Sequence, residues 1–195
     1  YEAGLRATPL RFLRGEATLF LSSFQNQIIP ASNTNSATAD LVNAGRTQHL
    51  GAEVAARFEL GRALRLPVGI DVQASYTGLS AKFVGGPSNG NALPYAPEHT
   101  VGAVIDVEHP LGFGAQVAWT FVGPQLADDE NTSPVDATGR VGALPAYQIL
   151  DLSLRYTHAP TGLGASLAVK NALDEIYVVS RRPDGIFPAG FRQIL

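Results

Sequence analysis

The chain contains six segments in which apolar residues recur at a period of two. In the segment at residues 68–77 the apolar residues are Val68, Ile70, Val72, Ala74 and Tyr76. Successive side chains of a β-strand point to opposite faces, so each segment has one apolar and one polar face. The other five lie at residues 49–59, 101–108, 113–121, 150–157 and 163–170. This repeated pattern predicts an all-β fold of antiparallel strands.

The connections between these segments are alternately short and long. Short connections are expected near residues 9–12, 61–66, 109–111 and 159–162, and long ones near 30–43, 84–97, 125–144 and 174–190. A less regular strand is expected at 16–29, where Phe20 and Phe24 fall on the polar face. This gives about eight strands in a meander, and residues 191–195 are expected to start another. Short turns at one end and long loops at the other are typical of outer-membrane β-barrels, whose long loops face outward.

The predicted strands are long enough to cross a membrane. They have about 9–16 residues, whereas a tilted transmembrane strand needs about 9–11 and soluble strands usually have about 5–6. Charged residues make up only 16% of the chain, below the roughly 25% of soluble domains. The sequence has no apolar run long enough for a transmembrane helix. Aromatic residues near the strand ends suit an interfacial girdle: Tyr76, Trp119, Phe121, Tyr147 and Tyr156.

Two other architectures account for the alternation. A soluble, lipocalin-like ligand-binding barrel would place the apolar face in its interior. A small complete outer-membrane barrel of the porin or adhesin type would need only these strands. The strand length and the two kinds of loop favour a membrane barrel over a soluble one. The net charge of −3 argues against a nucleic-acid partner, and the absence of cysteine removes disulfides and thiolate metal sites.

Five further segments carry recognisable motifs, namely residues 43–53, 93–100, 144–152, 167–177 and 185–192. In this order they resemble motifs in the C-terminal β-barrel of TonB-dependent outer-membrane receptors. The motif positions near the end of the chain are Asn171, Asp174, Tyr177, Gly185 and Arg192. Within the family, the sequence is most similar to ferric-citrate receptors, through residues 24–27, 45–51 and 125–132.

The resemblance implies an outer-membrane protein of a Gram-negative bacterium that imports ferric citrate or another siderophore with energy from TonB. The chain would contribute about 8–9 antiparallel strands to a transmembrane β-barrel of about 22. Residues 1–195 would be a partial barrel domain, without the plug domain and the end of the last strand. The implied partners are the ferric chelate, the receptor's own plug domain, the TonB complex acting through that plug, and outer-membrane lipid and lipopolysaccharide. No resident cofactor is implied.

Polar residues on the strands are expected to line the lumen of such a barrel. These are Glu53, Arg57, Asp71, Gln73, Asp106, Gln116, Asp151, Arg155 and Lys170. Either they contact the plug and the transported solute, or they form charge pairs between neighbouring strands. Charge pairing is the favoured interpretation for most of them.

Arginines in or beside the long loops are the candidates for ligand binding. They are Arg181, Arg182, Arg140 and Arg46. A guanidinium group binds carboxylates in bidentate geometry, which suits the citrate ligands of a ferric chelate. Exposed arginines in such loops also suit contact with lipopolysaccharide.

No catalytic or metal site is predicted. The sequence lacks the motifs of nucleophilic, phosphate-binding and zinc-dependent enzymes, and its four histidines are scattered. The acidic run Asp128-Asp129-Glu130 offers carboxylates that suit calcium, but a solvated acidic loop is the favoured interpretation.

Overall fold

The computed structural model describes residues 1–30, 41–43, 45–182 and 184–195. In chain order the elements are β1 (Glu2–Leu10), β2 (Leu13–Gln25), β3 (Ile28–Pro30), β4 (Leu41–Asn43), β5 (Arg46–Glu59), α1 (Leu60–Ala63), β6 (Gly69–Phe83), β7 (His99–Glu108), β8 (Phe113–Val122), β9 (Gln125–Leu126), β10 (Ala143–Leu144), β11 (Tyr147–His158), β12 (Leu163–Lys170), β13 (Tyr177–Arg182), β14 (Gly185–Ala189) and β15 (Gln193–Ile194). Residues 31–40 of the first predicted long loop lie outside the described residues, as do Ala44 of the first family-like motif and Pro183.

Among the described residues, nine strands form one antiparallel sheet in the order β1–β2–β5–β6–β7–β8–β11–β12–β15. Each long strand pairs with the long strands before and after it in the chain, which makes the sheet a meander. The short β15 pairs with β12 through Val169 opposite Ile194 and Lys170 opposite Gln193. The sheet is open, with β1 and β15 at its edges. The antiparallel all-β fold predicted from the sequence is confirmed.

The long connections contain short hairpins that the alternation did not predict. In the part of the chain that the structure describes, three two-stranded sheets pair β3 with β4, β9 with β10, and β13 with β14. The β13–β14 hairpin extends from Tyr177 opposite Ala189 to Arg182 opposite Gly185. Strands this short give too few alternating positions to be distinguished from a loop by their sequence. The hairpins stiffen the loops because their backbone groups bond to each other.

The short connections lie at the opposite ends of the strands. The connection after β5 begins with the four-residue helix α1, which the sequence did not predict. Gly61 of this helix lies so close to the backbone of Val68 that a β-carbon would clash with it. The glycine therefore lets the helix lie against the start of β6. Within the described part of the chain, no helix has the length and apolar character needed to span a membrane.

The strand register separates apolar and polar side chains onto two faces. Residues opposite each other in an antiparallel ladder point to the same side. One row on the apolar side consists of Ala17, Val54, Tyr76, Val101 and Phe121. We name this side the outward face and the other the inward face. Large exposed apolar side chains on the outward face include Leu5, Leu19, Leu50, Ile105, Phe113, Leu152, Leu154, Leu163 and Leu167.

The aromatic residues predicted to form a girdle are not all on one face. On the outward face lie Tyr76, Trp119, Phe121 and Tyr156. The prediction for Tyr147 is wrong, because it lies three residues before the outward-facing Leu150, and an odd spacing reverses the face. Tyr147 is on the inward side, where its ring stacks on Tyr177 with centroids 4.0 Å apart.

A small hydrophobic core lies where the end of β6 meets the loop that follows it. Ala81 and Phe83 of β6 pack against Leu93, whose backbone N–H donates to Ala81 O at 2.9 Å. Their partly buried neighbours are Ile29, Leu79 and Ala96. Ala81 and Phe83 belong to the inward face by register. The loop after β6 therefore folds back along its own strand on the inward side.

Candidate functional site: the inward face and the outer loops

All nine side chains predicted to line a lumen belong to the inward face. Asp71 is opposite Asp106, and Asp106 is opposite Gln116. The other six share this face by register, namely Glu53, Arg57, Gln73, Asp151, Arg155 and Lys170. That this face lines the lumen of a complete barrel stays a prediction.

Several inward charges are paired between strands. Arg57 Nη2 lies 3.0 Å from Asp71 Oδ2, and Lys170 Nζ lies 2.8 Å from Asp151 Oδ2. These side chains remain in contact with solvent, so each pair contributes about 0.2–1 kcal/mol to stability. The charge pairing between neighbouring strands that the sequence predicts is therefore present at Arg57–Asp71 and Lys170–Asp151.

Arg155 joins strands that are not neighbours. From β11 its Nη2 reaches across β8 to β7, where it lies 3.2 Å from Asp106 Oδ1 and 2.7 Å from Glu108 Oε1. Gly114 of β8 lies beneath the guanidinium, and a β-carbon there would lie 2.5 Å from Arg155 Nε. Gln116 Nε2 also donates to Asp106, at 3.3 Å. The glycine thus permits a polar network that spans three strands.

At the outer end of the inward face, phenylalanine rings cover β5. Phe24 packs edge-on against His49 with centroids 5.1 Å apart, and the ring of Phe20 lies against Gly51. His49 Nε2 is buried without a hydrogen-bond partner among the described residues. The two phenylalanines are the residues that made the predicted strand at 16–29 irregular, and their rings occupy the inward side as the sequence indicated.

Two of the long connections are joined by side-chain hydrogen bonds. We name residues 84–98 loop A, residues 123–146 loop B and residues 171–192 loop C. The Asn131 amide of loop B accepts from Ala92 N at 2.7 Å and donates to Ala92 O at 2.9 Å. Asn91 Nδ2 donates to Asp129 O at 2.7 Å, and Ser88 Oγ donates to Asp129 Oδ2 at 2.8 Å. The Asn131 side chain therefore forms the two hydrogen bonds with the Ala92 backbone that a neighbouring strand would form.

Loop C is attached to the other two loops. The Tyr95 hydroxyl of loop A donates to Arg181 O at 2.6 Å, and Tyr95 N donates to Leu126 O of loop B at 2.8 Å. Arg181 donates from Nε to Ala143 O at 3.1 Å and from Nη1 to Gly139 O. The three loops form one hydrogen-bonded assembly.

The sequence analysis predicts no role for Tyr95 and Asn131, although the sequence contains a signal for them. Tyr95 and Asn131 lie in the receptor-like segments 93–100 and 125–132. Both have left-handed backbone conformations, with φ of 58° and 57°. Asparagine adopts this conformation several times more often than most residues, so an asparagine inside a long loop suggests a defined turn.

The four arginines predicted for ligand binding lie in two places. Arg181 is half-buried and donates to the backbone of loop B. Arg182 is exposed, with its guanidinium carbon 5.6 Å from the centre of the Phe187 ring. Arg140 is exposed and follows Gly139, the residue that Arg181 contacts. Arg181 lies at the contact between loops B and C, and Arg182 and Arg140 each follow a residue of that contact in the sequence. Arg46 lies on the outward face at the start of β5, opposite Gln25.

The turn at the tip of loop B is held by hydrogen bonds to the Asp136 carboxylate. Its carboxylate accepts hydrogen bonds from the Thr138 hydroxyl, from Thr138 N at 3.3 Å and from Val141 N at 3.1 Å. The bond from the Thr138 hydroxyl, followed by that from Val141 N, lowers the pKa of Asp136 below its ordinary value. The turn beside Arg140 therefore carries a carboxylate that is ionised at neutral pH.

Asn171 is the first of the motif positions near the end of the chain. It joins the two ends of loop C, near Glu175 and Gly190, which we name the neck of the loop. It is buried and adopts a left-handed conformation with φ of 50°. Its Nδ2 donates to Glu175 O at 2.9 Å and to Gly190 O, and its Oδ1 accepts from Glu175 N at 3.1 Å. Gly190 approaches Glu175 so closely that a β-carbon would clash. One side chain thus binds both limbs of the loop.

The other motif positions surround the same neck and hairpin. Arg192 Nη2 donates to Ala172 O at 3.1 Å and lies 3.8 Å from Asp174 Oδ2. Tyr177 begins β13, and Gly185 begins β14. These contacts give the motif a structural role in shaping loop C.

Two residues of the acidic run in loop B, Asp128 and Asp129, accept hydrogen bonds from other loop residues. Asp128 is 3% exposed, and its Oδ1 accepts from Thr132 N at 3.0 Å and from Thr132 Oγ1 at 3.1 Å. Asp128 Oδ2 and Asp129 Oδ1 have no hydrogen-bond partner among the described residues. In that part of the chain, no group of three or more histidine, aspartate or glutamate side chains is placed to hold a metal ion.

The chain is similar to known transport proteins. Residues 1–172 match the family described as TonB dependent receptor-like, beta-barrel. The ferric citrate transporter FecA in its unliganded form has 28% identity and a TM-score of 0.80, and the match covers 99% of this chain and 29% of that one. The ferric yersiniabactin uptake receptor FyuA from Yersinia pestis has 19% identity and a TM-score of 0.74, with coverage of 100% and 28%.

The same fold also occurs in a copper transporter, OprC, at 16% identity and a TM-score of 0.72, with coverage of 99% and 29%. The chain spans less than a third of the length of each of these three proteins. The family consists of outer-membrane transport receptors of Gram-negative bacteria and not of enzymes. The match over residues 1–172, together with the open nine-stranded sheet, establishes that this chain belongs to the TonB-dependent receptor family and corresponds to its β-barrel.

Proposed function

We propose that the protein containing this chain is an outer-membrane receptor that binds an extracellular ferric chelate and imports it with energy from TonB. Ferric citrate is the proposed cargo, and other siderophores are alternatives within the same class. The observation that carries the proposal is the similarity to the ferric citrate transporter FecA, at 28% identity over 99% of this chain.

The two faces of the sheet suit a transport wall. The outward face presents apolar side chains such as Leu50 and Leu154, which suit lipid. The inward face presents ion pairs such as Arg57–Asp71, which suit water or a plug domain. Binding and gating need no covalent chemistry.

The contact between loops B and C is the proposed binding surface for the chelate. Arg182 and Arg140 are exposed there, and a guanidinium forms strong, charge-assisted bonds with carboxylate. Arg181 donates to the backbone of Gly139 and Ala143, so we assign it a positioning role. It fixes the β13–β14 hairpin, which carries Arg182, against the loop that carries Arg140.

The remaining partners follow from the proposed transport cycle. Residues 1–195 would be a partial barrel domain in the outer membrane of a Gram-negative bacterium. The receptor's own plug domain would dock on inward residues such as Asp106 and Arg155, and the TonB complex would act through that plug. Outer-membrane lipid and lipopolysaccharide would surround the outward face.

Ligand binding to the full-length receptor in detergent tests the cargo. We expect saturable binding of ferric citrate by isothermal titration calorimetry, and no comparable binding of iron-free citrate, ferric hydroxamates or cobalamin. Because a hydrogen bond to a charged group contributes about 1.5–3 kcal/mol, Arg182→Gln and Arg140→Gln should each weaken binding about tenfold or more. Arg11→Gln, in the turn at the opposite end of the sheet, is the matched control. A receptor that binds no ferric chelate would overturn the iron assignment.

A further inference from the structure

We propose that Arg6, Arg14 and Arg57 form a second site for the carboxylate groups of the cargo, near the periplasmic end of the inward face. The site lies beside the short connections, at the opposite end of the strands from the chelate surface of loops B and C. It would hold the cargo after its release from that surface. The inference rests on the proposed transport function and adds a stage to it.

The three arginines share the inward face of neighbouring strands. Arg14, the second residue of β2, is directly opposite Arg57 of β5. Arg6 of β1 is opposite Glu16, the next inward residue of β2. Residues directly opposite each other on antiparallel strands have β-carbons about 4.5–5.5 Å apart. The guanidinium groups of Arg14 and Arg57 can therefore reach the same small anion.

Of these three arginines, Arg14 alone has no carboxylate partner among the described residues. Arg6 Nη2 lies 3.0 Å from Glu16 Oε2, and Arg57 Nη2 lies 3.0 Å from Asp71 Oδ2. Arg14 is exposed, and the other ion pairs that the structure describes join residues elsewhere on the sheet. The group therefore has one positive charge more than its paired carboxylates neutralise.

A further carboxylate beside Arg14 is also paired with another residue. Glu59 is diagonal to Arg14 across the β2–β5 ladder, and its Oε2 lies 3.3 Å from Arg62 Nη1. Like charges directly opposite each other destabilise a sheet, so the placement of Arg14 opposite Arg57 is unfavourable within the sheet itself. An anion bound between the two guanidinium groups would remove this repulsion.

The side chains surround a cavity of about 350 Å³ on the inward face. Its polar lining residues are Arg6, Thr8, Arg14, Glu16, Arg57 and Gln73. Gly15 and Ala55 also line it, and their small size leaves the space open. The volume lies within the range of about 300–1,000 Å³ for small-molecule sites. Because guanidinium groups bind carboxylates in bidentate geometry, the cavity suits a small polycarboxylate.

The site suits a cargo in transit because its own ion pairs are exposed. The side chain of Arg6 is 84% exposed and that of Arg57 is 45% exposed. Exposed ion pairs contribute little to stability, so both arginines can exchange their carboxylate partners for those of the cargo at small cost. An anion held by exposed guanidinium groups also dissociates readily, which passage into the periplasm requires.

The test measures uptake of radioactive ferric citrate by cells that express the full-length receptor and TonB. Arg14→Gln should lower the maximal uptake rate about tenfold, because it removes a charge-assisted contact with the cargo. The dissociation constant of ferric citrate for the purified receptor should be unchanged, since the chelate surface is untouched. Arg14→Lys keeps the charge and should retain most of the rate, and Arg11→Gln, in the adjoining turn, is the matched control.

Charge reversal gives a second measurement that separates transport from folding. In Arg14→Glu the new carboxylate would pair with Arg57, so the thermal unfolding temperature of the purified receptor should equal or exceed that of the wild-type protein. The maximal uptake rate should nevertheless fall at least as far as in Arg14→Gln, because the cargo is then repelled. Arg14→Gln should also unfold no earlier than the wild-type protein, since it loses only a repulsion.

Three results would each refute this second site. They are a maximal uptake rate for Arg14→Gln equal to that of Arg11→Gln, a lower unfolding temperature of Arg14→Gln, which would give Arg14 a structural partner, and entry of a large polar antibiotic through this variant, which would assign Arg14 to holding the plug. Ferric citrate binding by the wild-type receptor is measured on the same samples. Its absence would refute the chelate assignment as well, whereas normal binding with an unchanged rate refutes the second site alone.

Discussion

The guanidinium of Arg155 lies over Gly114, where a β-carbon would be 2.5 Å from Arg155 Nε. This contact lets an arginine on β11 reach Asp106 and Glu108 on β7 across the strand between them. The inward face is therefore more than a series of pairs between adjacent strands. Because Gly114 has no side chain, the Arg155 side chain has room to cross β8 and reach β7.

Valine at position 114 is expected to displace Arg155 and break its contacts with β7. Overpacking and loss of the ion pairs should lower the free energy of unfolding by about 1–3 kcal/mol. Thermal unfolding of the full-length receptor in detergent, followed by circular dichroism, measures the effect. Gly164→Val is the matched control on the same face, because the nearest atom to a β-carbon there is 3.6 Å away. Equal stability of the two variants would contradict the role of Gly114.

Leucine in place of Asn171 should open the neck of loop C. The change keeps a similar volume but removes partners from Glu175 N, Glu175 O and Gly190 O, and each unsatisfied buried group costs about 1–3 kcal/mol. Hydrogen exchange measured by mass spectrometry should show faster exchange across residues 171–192. Asn89→Leu, at an exposed position of loop A, is the control. Unchanged exchange in loop C would show that Asn171 does not close the neck.

Removing the Asn131 amide should separate loop A from loop B. Asn131→Ala loses both bonds to Ala92, and the Ala92 amide should exchange about tenfold faster, since one hydrogen bond contributes about 1 kcal/mol or somewhat more. Asn131→Asp retains an acceptor for Ala92 N but loses the donor to Ala92 O. Its exchange rate should lie between those of the wild-type protein and Asn131→Ala. Equal rates in all three proteins would refute the bridging role.

Ionised Asp136 should stabilise the tip of loop B at neutral pH. Its folded pKa lies below the ordinary value because of bonds from Thr138 and Val141. The stabilisation is therefore fully present above the unfolded pKa and is lost as the pH falls through the folded pKa. Carbon-13 NMR of labelled aspartate in the full-length receptor measures the titration. Thr138→Val should raise the pKa towards its ordinary value, and a pKa that is unchanged by this substitution would contradict the assigned cause.

The strands could be predicted from the sequence because period two is a local property. The run from Val68 to Tyr76 determines which side chains share a face, and the register confirmed it. Aromatic character alone does not determine the face of Tyr147, whereas its odd spacing from Leu150 places it inward. The β13–β14 hairpin and α1 cannot be predicted in this way, because each element has too few residues to display a period.

The candidate site was less predictable, because it depends on contacts between distant segments. Arg181 was expected to bind ligand as a loop arginine, but its bonds to Gly139 and Ala143 depend on how loops B and C meet. The outward position of Arg46 follows from its register with Gln25, which fixes its face only once the strand boundaries are known.

Uptake of radioactive ferric citrate by cells that express the full-length receptor tests the central proposal most directly. The cells lack other ferric-citrate receptors, and uptake is compared with and without TonB. We predict saturable uptake that requires TonB and that falls about tenfold or more when Arg182 and Arg140 are both replaced by glutamine. Uptake that persists without TonB, or an absence of ferric citrate uptake by a correctly inserted wild-type receptor, would contradict this account.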